Sequence, residues 1–382
     1  MNASRLLLVI AFVSLVFASV AVVFSDNTPH HIDTAVLSEG EYETIVIDTT
    51  TDDMNAAGYH IGDQLRVTIG DDSFTVTYVE KYTGIGVMGG FASTTDHWGD
   101  HHIRIGYFNV DAWKKTGASM GDKVSLDYAG KDPNMSKIPK YLKGSNRSYD
   151  GSITPEVFCN YREIHGGNLK EGEFYRSVAP FGVGYDSTPL INDIYTKIGI
   201  EYIVDLGDDA SSIERCRQAY GDDLYALQLY DSGNVFAEHL FPDVNIRPEV
   251  MKTAMCAVIE SEGKTIVCCY LGKDRTGMTC AMLQSLAGSS YEDVKRDYMF
   301  SYVDLYGVEE GSEEYETLGK MMFDRYFYLL GHPGIEDQAE DFDWSVIDGY
   351  EFDLKSITEN FLREKSGMTE EEMELLMERI TK

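Results

Sequence analysis

The segment from Thr265 to Gly288 constrains this chain more than any other. Thr265-Ile266-Val267-Cys268 is a β-branched run that reads as a buried strand, and Met278 to Leu286 is apolar and helix-compatible until Gly288 offers a stop. Between them lies Cys268–Gly277, CCYLGKDRTG. A strand, a tight loop and a helix N-terminus must therefore meet at Cys269. The order of signals around it is the same. Tyr202–Leu206, Tyr225–Leu229 and Thr265–Cys268 read as strands, and helices are expected near 188–198, 210–220 and 248–261, the last opened by Pro248. That alternation predicts an α/β fold over 157–382, a mainly parallel sheet flanked by helices, with the loop at the C-terminal edge of the strands.

Cys269 and Arg275 stand six residues apart. The backbone N–H groups of Tyr270, Leu271, Gly272, Lys273, Asp274 and Arg275 can curl around an anion, and the helix dipole adds positive potential. Such a cradle binds a phosphate dianion without a metal or other cofactor. The same field favours the thiolate of a cysteine, which beside a bound phosphate is a nucleophile. Arg275 can hold two equatorial oxygens bidentately as charge shifts. Thr276 can donate its hydroxyl to the sulfur when it leaves. Cys-x5-Arg alone also describes a buried thiol near a surface arginine.

The full string resembles the signature loop of the cysteine-based protein-tyrosine phosphatases, in the bacterial and archaeal branch that carries Gly-Lys-Asp-Arg-Thr-Gly. Asn160-Tyr161-Arg162-Glu163-Ile164-His165-Gly166-Gly167 is similar to that branch's N-F-R-D-L-G-G, and Phe174-Tyr175-Arg176-Ser177 to its L-Y-R-S. Asp297-Tyr298-Met299-Phe300-Ser301 resembles D-Y-L-x-S. Phe361-Leu362, Gly367-Met368-Thr369 and Leu375 to Ile380 resemble the closing segment. The resemblance covers 157–382 and implies a protein-tyrosine-phosphatase-like catalytic domain. Two positions depart from it. Cys268 stands where the family places a histidine, and Gly207 follows Asp205-Leu206 where the family reads arginine.

A phosphatase of this kind needs a proton donor for the leaving oxygen and a base for the attacking water. Two aspartates compete. Asp231 follows Leu227-Gln228-Leu229-Tyr230 at the place of the family's mobile acid loop, with turn residues Ser232-Gly233-Asn234 after it. Asp274 lies inside the loop. We take Asp231 as the acid, Asp274 as the partner that orients Arg275, and Lys273 as positive charge at the rim. Six cysteines with Cys269 reserved leave five, which cannot all pair, so Cys268 is a candidate reversible redox partner.

Ahead of this domain the pattern changes. Leu65, Val67 and Ile69, then Phe74, Val76 and Tyr78, then Val124, Leu126 and Tyr128 alternate with polar residues, so 30–130 is expected to be a small all-β barrel or sandwich. Gly62-Asp63-Gln64-Leu65 and Gly121-Asp122-Lys123-Val124 hint at a pseudo-repeat. Asp96-His97-Trp98-Gly99-Asp100-His101-His102 lacks a recognised metal-ligand spacing and reads as a polar loop. Residues 131–156 are a linker in which Lys131, Lys137, Lys140, Lys143 and Arg147 cluster among glycine, proline and serine. Residues 1–25 contain Leu6 to Phe24, a run without charge behind Arg5 that reads equally as a cleaved signal peptide or an anchor, with the bulk of the chain outside the cell or on the outer face of its membrane.

The formal net charge of −32, from 64 acidic and 32 basic residues, makes nucleic acid an improbable partner. Membrane contact is expected only through the N-terminal segment, and nothing in the sequence fixes an oligomeric state. The expected partner is a phosphorylated protein or small phosphate ester. Protein-tyrosine phosphatase activity comes first, a phosphoinositide or inositol-phosphate phosphatase second. A surface-displayed phosphate-binding pseudophosphatase, given the two departures, is the alternative of another class.

Overall fold

The computed structural model describes residues 29, 31–40, 44–70, 72–79, 90–93, 101–107, 112–132, 148–240, 248–332 and 343–382. Leu6 to Phe24, residues 96–100 of the Asp96–His102 loop and the 133–147 part of the linker lie outside these. Among the described residues no helix is long and apolar enough to cross a membrane.

The alternating strands of the N-terminal region close on themselves. β1 (Ile32–Glu39), β2 (Ile45–Thr50), β3 (Asp63–Ile69), β4 (Asp72–Val79), β5 (Gly90–Ser93), β6 (His102–Tyr107) and β7 (Lys123–Lys131) form a barrel in the order β1-β2-β6-β5-β4-β3-β7, antiparallel except between β4 and β5. Period two sends one residue in two inward. Leu65, Val67, Ile69, Val76, Val124 and Leu126 are buried in one cluster. The two Gly-Asp openings precede strands that are neighbours: β3 pairs with β7, Val67 opposite Leu126 and Ile69 opposite Val124.

Residues 148–382 build the α/β unit. Its sheet runs β11 (Val235–Ala237), β10 (Tyr202–Asp205), β12 (Thr265–Cys269), β9 (Phe174–Val178), β8 (Arg162–Glu163). The β11/β10, β10/β12 and β12/β9 pairings are parallel and β8/β9 is antiparallel. Every residue of β12 is buried because both faces are covered. Ile266 and Cys268 enter one core cluster, Val267 and Cys269 the other. Numbering the helices of this unit from its start, α1 (Pro155–Phe158), α2 (Ser187–Ile198), α3 (Ala210–Tyr220), α4 (Tyr225–Asp231) and α5 (Pro248–Glu260) precede the central α6 (Asp274–Leu286). α6 is buried from Arg275 to Leu286, which is why its sequence shows no polar face. Beyond it, α7 (Tyr291–Tyr306) packs on α6, and α8 (Glu370–Ile380) closes the chain with the capping box of Thr369 and Glu372 and buries Met373, Leu376 and Ile380.

One predicted element changes type. Tyr225–Leu229 is not a strand but most of α4, whose first turn is anchored by Ala226 N donating to Asn192 Oδ1 at 2.8 Å. A run with one polar residue in five has no readable period, so its local pattern fits either element. The strand at that place in the order is β11, one turn further on.

Candidate active site

β12 ends at Cys269 and α6 begins at Asp274, so Tyr270 to Lys273 form the whole turn between them. The turn is tight because Gly272 sits at φ +63°, and a Cβ there would stand 2.2 Å from the Ser177 carbonyl oxygen. Its N–H donates to Cys269 O at 3.0 Å, and Ala179 N donates to the same oxygen at 2.8 Å.

The loop carbonyls are held by a buried polar cluster that the motifs outside the loop supply. Asn160 Nδ2 reaches Leu271 O at 3.0 Å and Gly272 O at 2.9 Å, and Arg176 Nη2 donates to Gly272 O at 2.9 Å. Asp297 accepts from Arg162 Nε and from Arg176 Nη1, each at 2.7 Å, while Ser301 Oγ accepts from Arg176 Nη2 at 3.0 Å. Burial pushes the Asp297 carboxyl up, but the two guanidiniums outweigh it and hold the group below its ordinary range. These bonds hold the Leu271 and Gly272 carbonyls on the side of the turn that faces the cluster.

Cys269 is 3% exposed at the loop floor. Arg275, on the first turn of α6, donates through Nη1 to Leu206 O at 2.9 Å and Leu240 O at 2.7 Å. That anchoring spends one nitrogen and leaves the Nε/Nη2 fork for two phosphate oxygens. Gly207 lies against the loop: a Cβ on it would come within 2.8 Å of Tyr270 N and 3.1 Å of Cys269 Cα. The arginine of the related pattern has no room here. Tyr270 is 39% exposed and its hydroxyl donates to that of Tyr185 at 2.6 Å, the two rings meeting edge to face at 5.3 Å. They form an aromatic pair at the loop residue that follows Cys269.

These features decide the family. Its model, the tyrosine phosphatase family, matches residues 158–382. The chain belongs to the tyrosine phosphatase family. Among curated proteins none matches it. A solved structure titled as an uncharacterized conserved protein from Thermotoga maritima is similar over 25% of this chain and 36% of that one, at 16% identity and a TM-score of 0.22, and bears no weight.

The phosphatase domain brings Cys269, Tyr270, Leu271, Gly272, Lys273, Asp274, Arg275 and Thr276 together, but five expected roles change, the first being that of Asp274, which pairs with Lys273 while Arg275 is oriented by the Leu206 and Leu240 carbonyls. Asp231 ends α4, ahead of β11, at the N-terminal edge of the parallel sheet, whereas the loop is at the C-terminal edge. Its carboxylate is held by Arg217 at 2.6 Å. The structure does not deliver it as an acid. Lys273 is not at a rim. It is 1% exposed, with Nζ 3.2 Å from Asp274 Oδ1 and over the rings of Tyr302 and Tyr306 at 5.3 and 5.6 Å. Cys268 does not face Cys269, because successive strand residues point to opposite sides of the sheet. Burial also pushes its thiol well up, which disfavours the thiolate that a bond to Cys269 would need. The Thr276 hydroxyl is buried with no hydrogen-bond partner among the described residues, so no bond to the sulfur is made in this state.

The sequence alone did not assign roles to Asn160, Arg162, Arg176, Asp297 and Ser301. All five sit inside the matched motifs, which is the signal that could have found them.

Proposed function

We propose that this chain hydrolyses phosphate monoesters through Cys269, with phosphotyrosine in a protein as the first substrate class. The observation that carries the reading is Arg275, anchored through one nitrogen to the Leu206 and Leu240 carbonyls, at the helix end of the tight turn that starts at Cys269. The sulfur attacks phosphorus, the S–P bond forms and the ester P–O bond breaks. Arg275 and the loop N–H groups hold the three equatorial oxygens as charge spreads over them. With Asp231 at the far edge, Asp274 is the carboxyl of the original two that can pass a proton to the leaving oxygen and take one from the water that cleaves the cysteinyl phosphate.

Two observations favour an aryl ester over an inositol phosphate. Tyr185 and Tyr270, at the loop residue that follows Cys269, offer a wall for a phenyl ring. Lys273, the additional cation a polyphosphorylated ring would use, is folded under two tyrosines. The uncharged run Leu6 to Phe24 supports placing this chemistry outside the cytoplasm, which fractionation of the native host would test.

Turnover of phosphotyrosine peptide, phosphoserine peptide, phosphoinositide and inositol hexakisphosphate should be compared for native and Cys269→Ser protein. Phosphotyrosine is expected to be preferred, and the substitution to cost several orders of magnitude in kcat. Retained phosphate binding with no turnover of any ester would replace the enzyme with a binding module.

A further inference from the structure

The buried lysine of the loop has no role in the chemistry above. Lys273 is 1% exposed, and a charge taken out of water is costly unless it is paired. The carboxylate paired with it is that of its neighbour Asp274, whose Oδ1 lies 3.2 Å from Nζ. The two partners differ in surroundings: the Asp274 side chain is 31% exposed, while the ammonium is enclosed. One face of α7 encloses it. Tyr298, Tyr302 and Tyr306 follow one another at every fourth residue, with ring centroids 6.2 Å apart at each step. Lys273 Nζ lies 5.3 Å from the centre of the Tyr302 ring and 5.6 Å from that of Tyr306, both within cation–π range. A glycine brings this face close: a Cβ on Gly277 would stand 2.9 Å from Tyr298 Cε2. Gly277 N also donates to Lys273 O at 2.8 Å, which ties the backbone of the lysine to the first turn of α6. Burial pulls the ammonium down, but the Asp274 carboxylate foremost, with Tyr306 after it, holds the group above its ordinary range, so the charge stays in place at neutral pH.

A carboxyl that serves as proton donor becomes an anion at the moment it acts, and a fixed cation beside it stabilises that anion without reorganisation. We propose that Lys273 is a positioning residue for Asp274: it fixes the carboxyl at the start of α6 and meets the charge left there when the proton passes to the leaving oxygen. In that step the S–P bond forms, the ester P–O bond breaks and the Asp274 proton goes to the departing oxygen. The same ammonium then holds the carboxylate in place to take a proton from the water whose oxygen attacks phosphorus as the S–P bond breaks. This rests on the reading of Asp274 as the proton donor of a phosphatase. Lys273 acts through Asp274 and makes no contact with phosphate in this scheme.

The test compares kcat/KM for phenyl phosphate and p-nitrophenyl phosphate in the native chain and in Lys273→Met, each with and without Asp274→Asn. Phenolate needs an acid to leave, and p-nitrophenolate needs one far less. Lys273→Met keeps the length of the side chain and removes its charge. Its loss on phenyl phosphate is expected to exceed its loss on p-nitrophenyl phosphate by about tenfold or more, a part of the 10²–10⁴-fold that a general acid supplies. In the Asp274→Asn background that difference is expected to vanish, because the group through which Lys273 acts is gone. Equal losses on the two esters, the mark of a phosphate contact or of a purely structural lysine, would overturn the proposal. A selective loss that persists without Asp274 would overturn it as well. If Lys273→Met does not fold, Tyr306→Leu, at a half-buried ring, removes one support of the ammonium and is read in the same way. A native chain that hydrolyses neither ester removes the phosphatase reading and this proposal with it, whereas native turnover with equal losses removes the proposal alone.

Discussion

A missing Cβ sets the shape of the site twice. At Gly272 it permits φ +63° and the approach of the loop to the Ser177 carbonyl; at Gly207 it permits a second strand end to lie on Cys269 and Tyr270. The second has a consequence that runs against the family pattern. Putting back arginine, as Gly207→Arg, adds a Cβ and a long chain where 2.8 Å separates the added carbon from Tyr270 N. The expected outcome is a loss of about tenfold or more in kcat/KM, not a gain, because a displacement near 1 Å at the reacting group costs on the order of 10²-fold. Steady-state kinetics on phosphotyrosine peptide decide it; restored or increased activity would show that Gly207 is a defect. Gly272→Ala should cost about 1–3 kcal/mol from backbone strain alone, read from urea unfolding.

Between elements, the loop is held by β8, β9 and α7 through Arg162, Arg176 and Asp297. Asp297 has a folded-state ionisation depressed by its two guanidiniums. The stability it contributes is therefore present above the ordinary carboxylate range and is lost as pH falls through the depressed folded value. The acid limb of unfolding free energy against pH should flatten in Asp297→Asn. The same substitution leaves two buried guanidiniums without their anion and should cost about 3–5 kcal/mol at neutral pH. An unchanged midpoint in chemical denaturation would mean that the network is not the tie described. Asn160→Ala should act differently, slackening the Leu271 and Gly272 carbonyls and weakening phosphate binding more than it weakens the fold.

On the scale of the chain, two sets of core residues come from separate stretches. The barrel draws its cluster from Ile32 to Tyr128 and the α/β unit draws its own from Tyr149 to Ile380. Between them lies a basic segment carrying Lys137, Lys140, Lys143 and Arg147. Brief trypsin treatment of the intact chain is expected to cut within that segment first and leave two resistant pieces, identified by mass spectrometry. Cleavage inside either unit at the same rate would argue against two independent cores.

Much of the fold is legible in the sequence, because it depends on neighbours in sequence. The strand, loop and helix around Cys269, the alternation of the barrel strands and the capping box at Thr369 are local patterns, and local sterics and hydrogen bonding fix them. The helices at 187–198, 210–220 and 248–260 were legible for the same reason. Tyr225–Leu229 was not, since a short apolar run carries no period, and with that segment went the acid role of Asp231. The fate of Cys268 was partly legible, because strand alternation alone sends it away from Cys269. What the amino-acid order by itself determined is the family and the candidate site: a cysteine and an arginine six apart around a glycine turn. What only the tertiary structure decided is which charges attend it. Lys273 lies under two tyrosines, Asp231 is at the wrong edge of the sheet, and Arg275 is anchored to the Leu206 and Leu240 carbonyls. Those placements depend on how distant elements pack, and burial, unlike spacing, is a property of the whole fold.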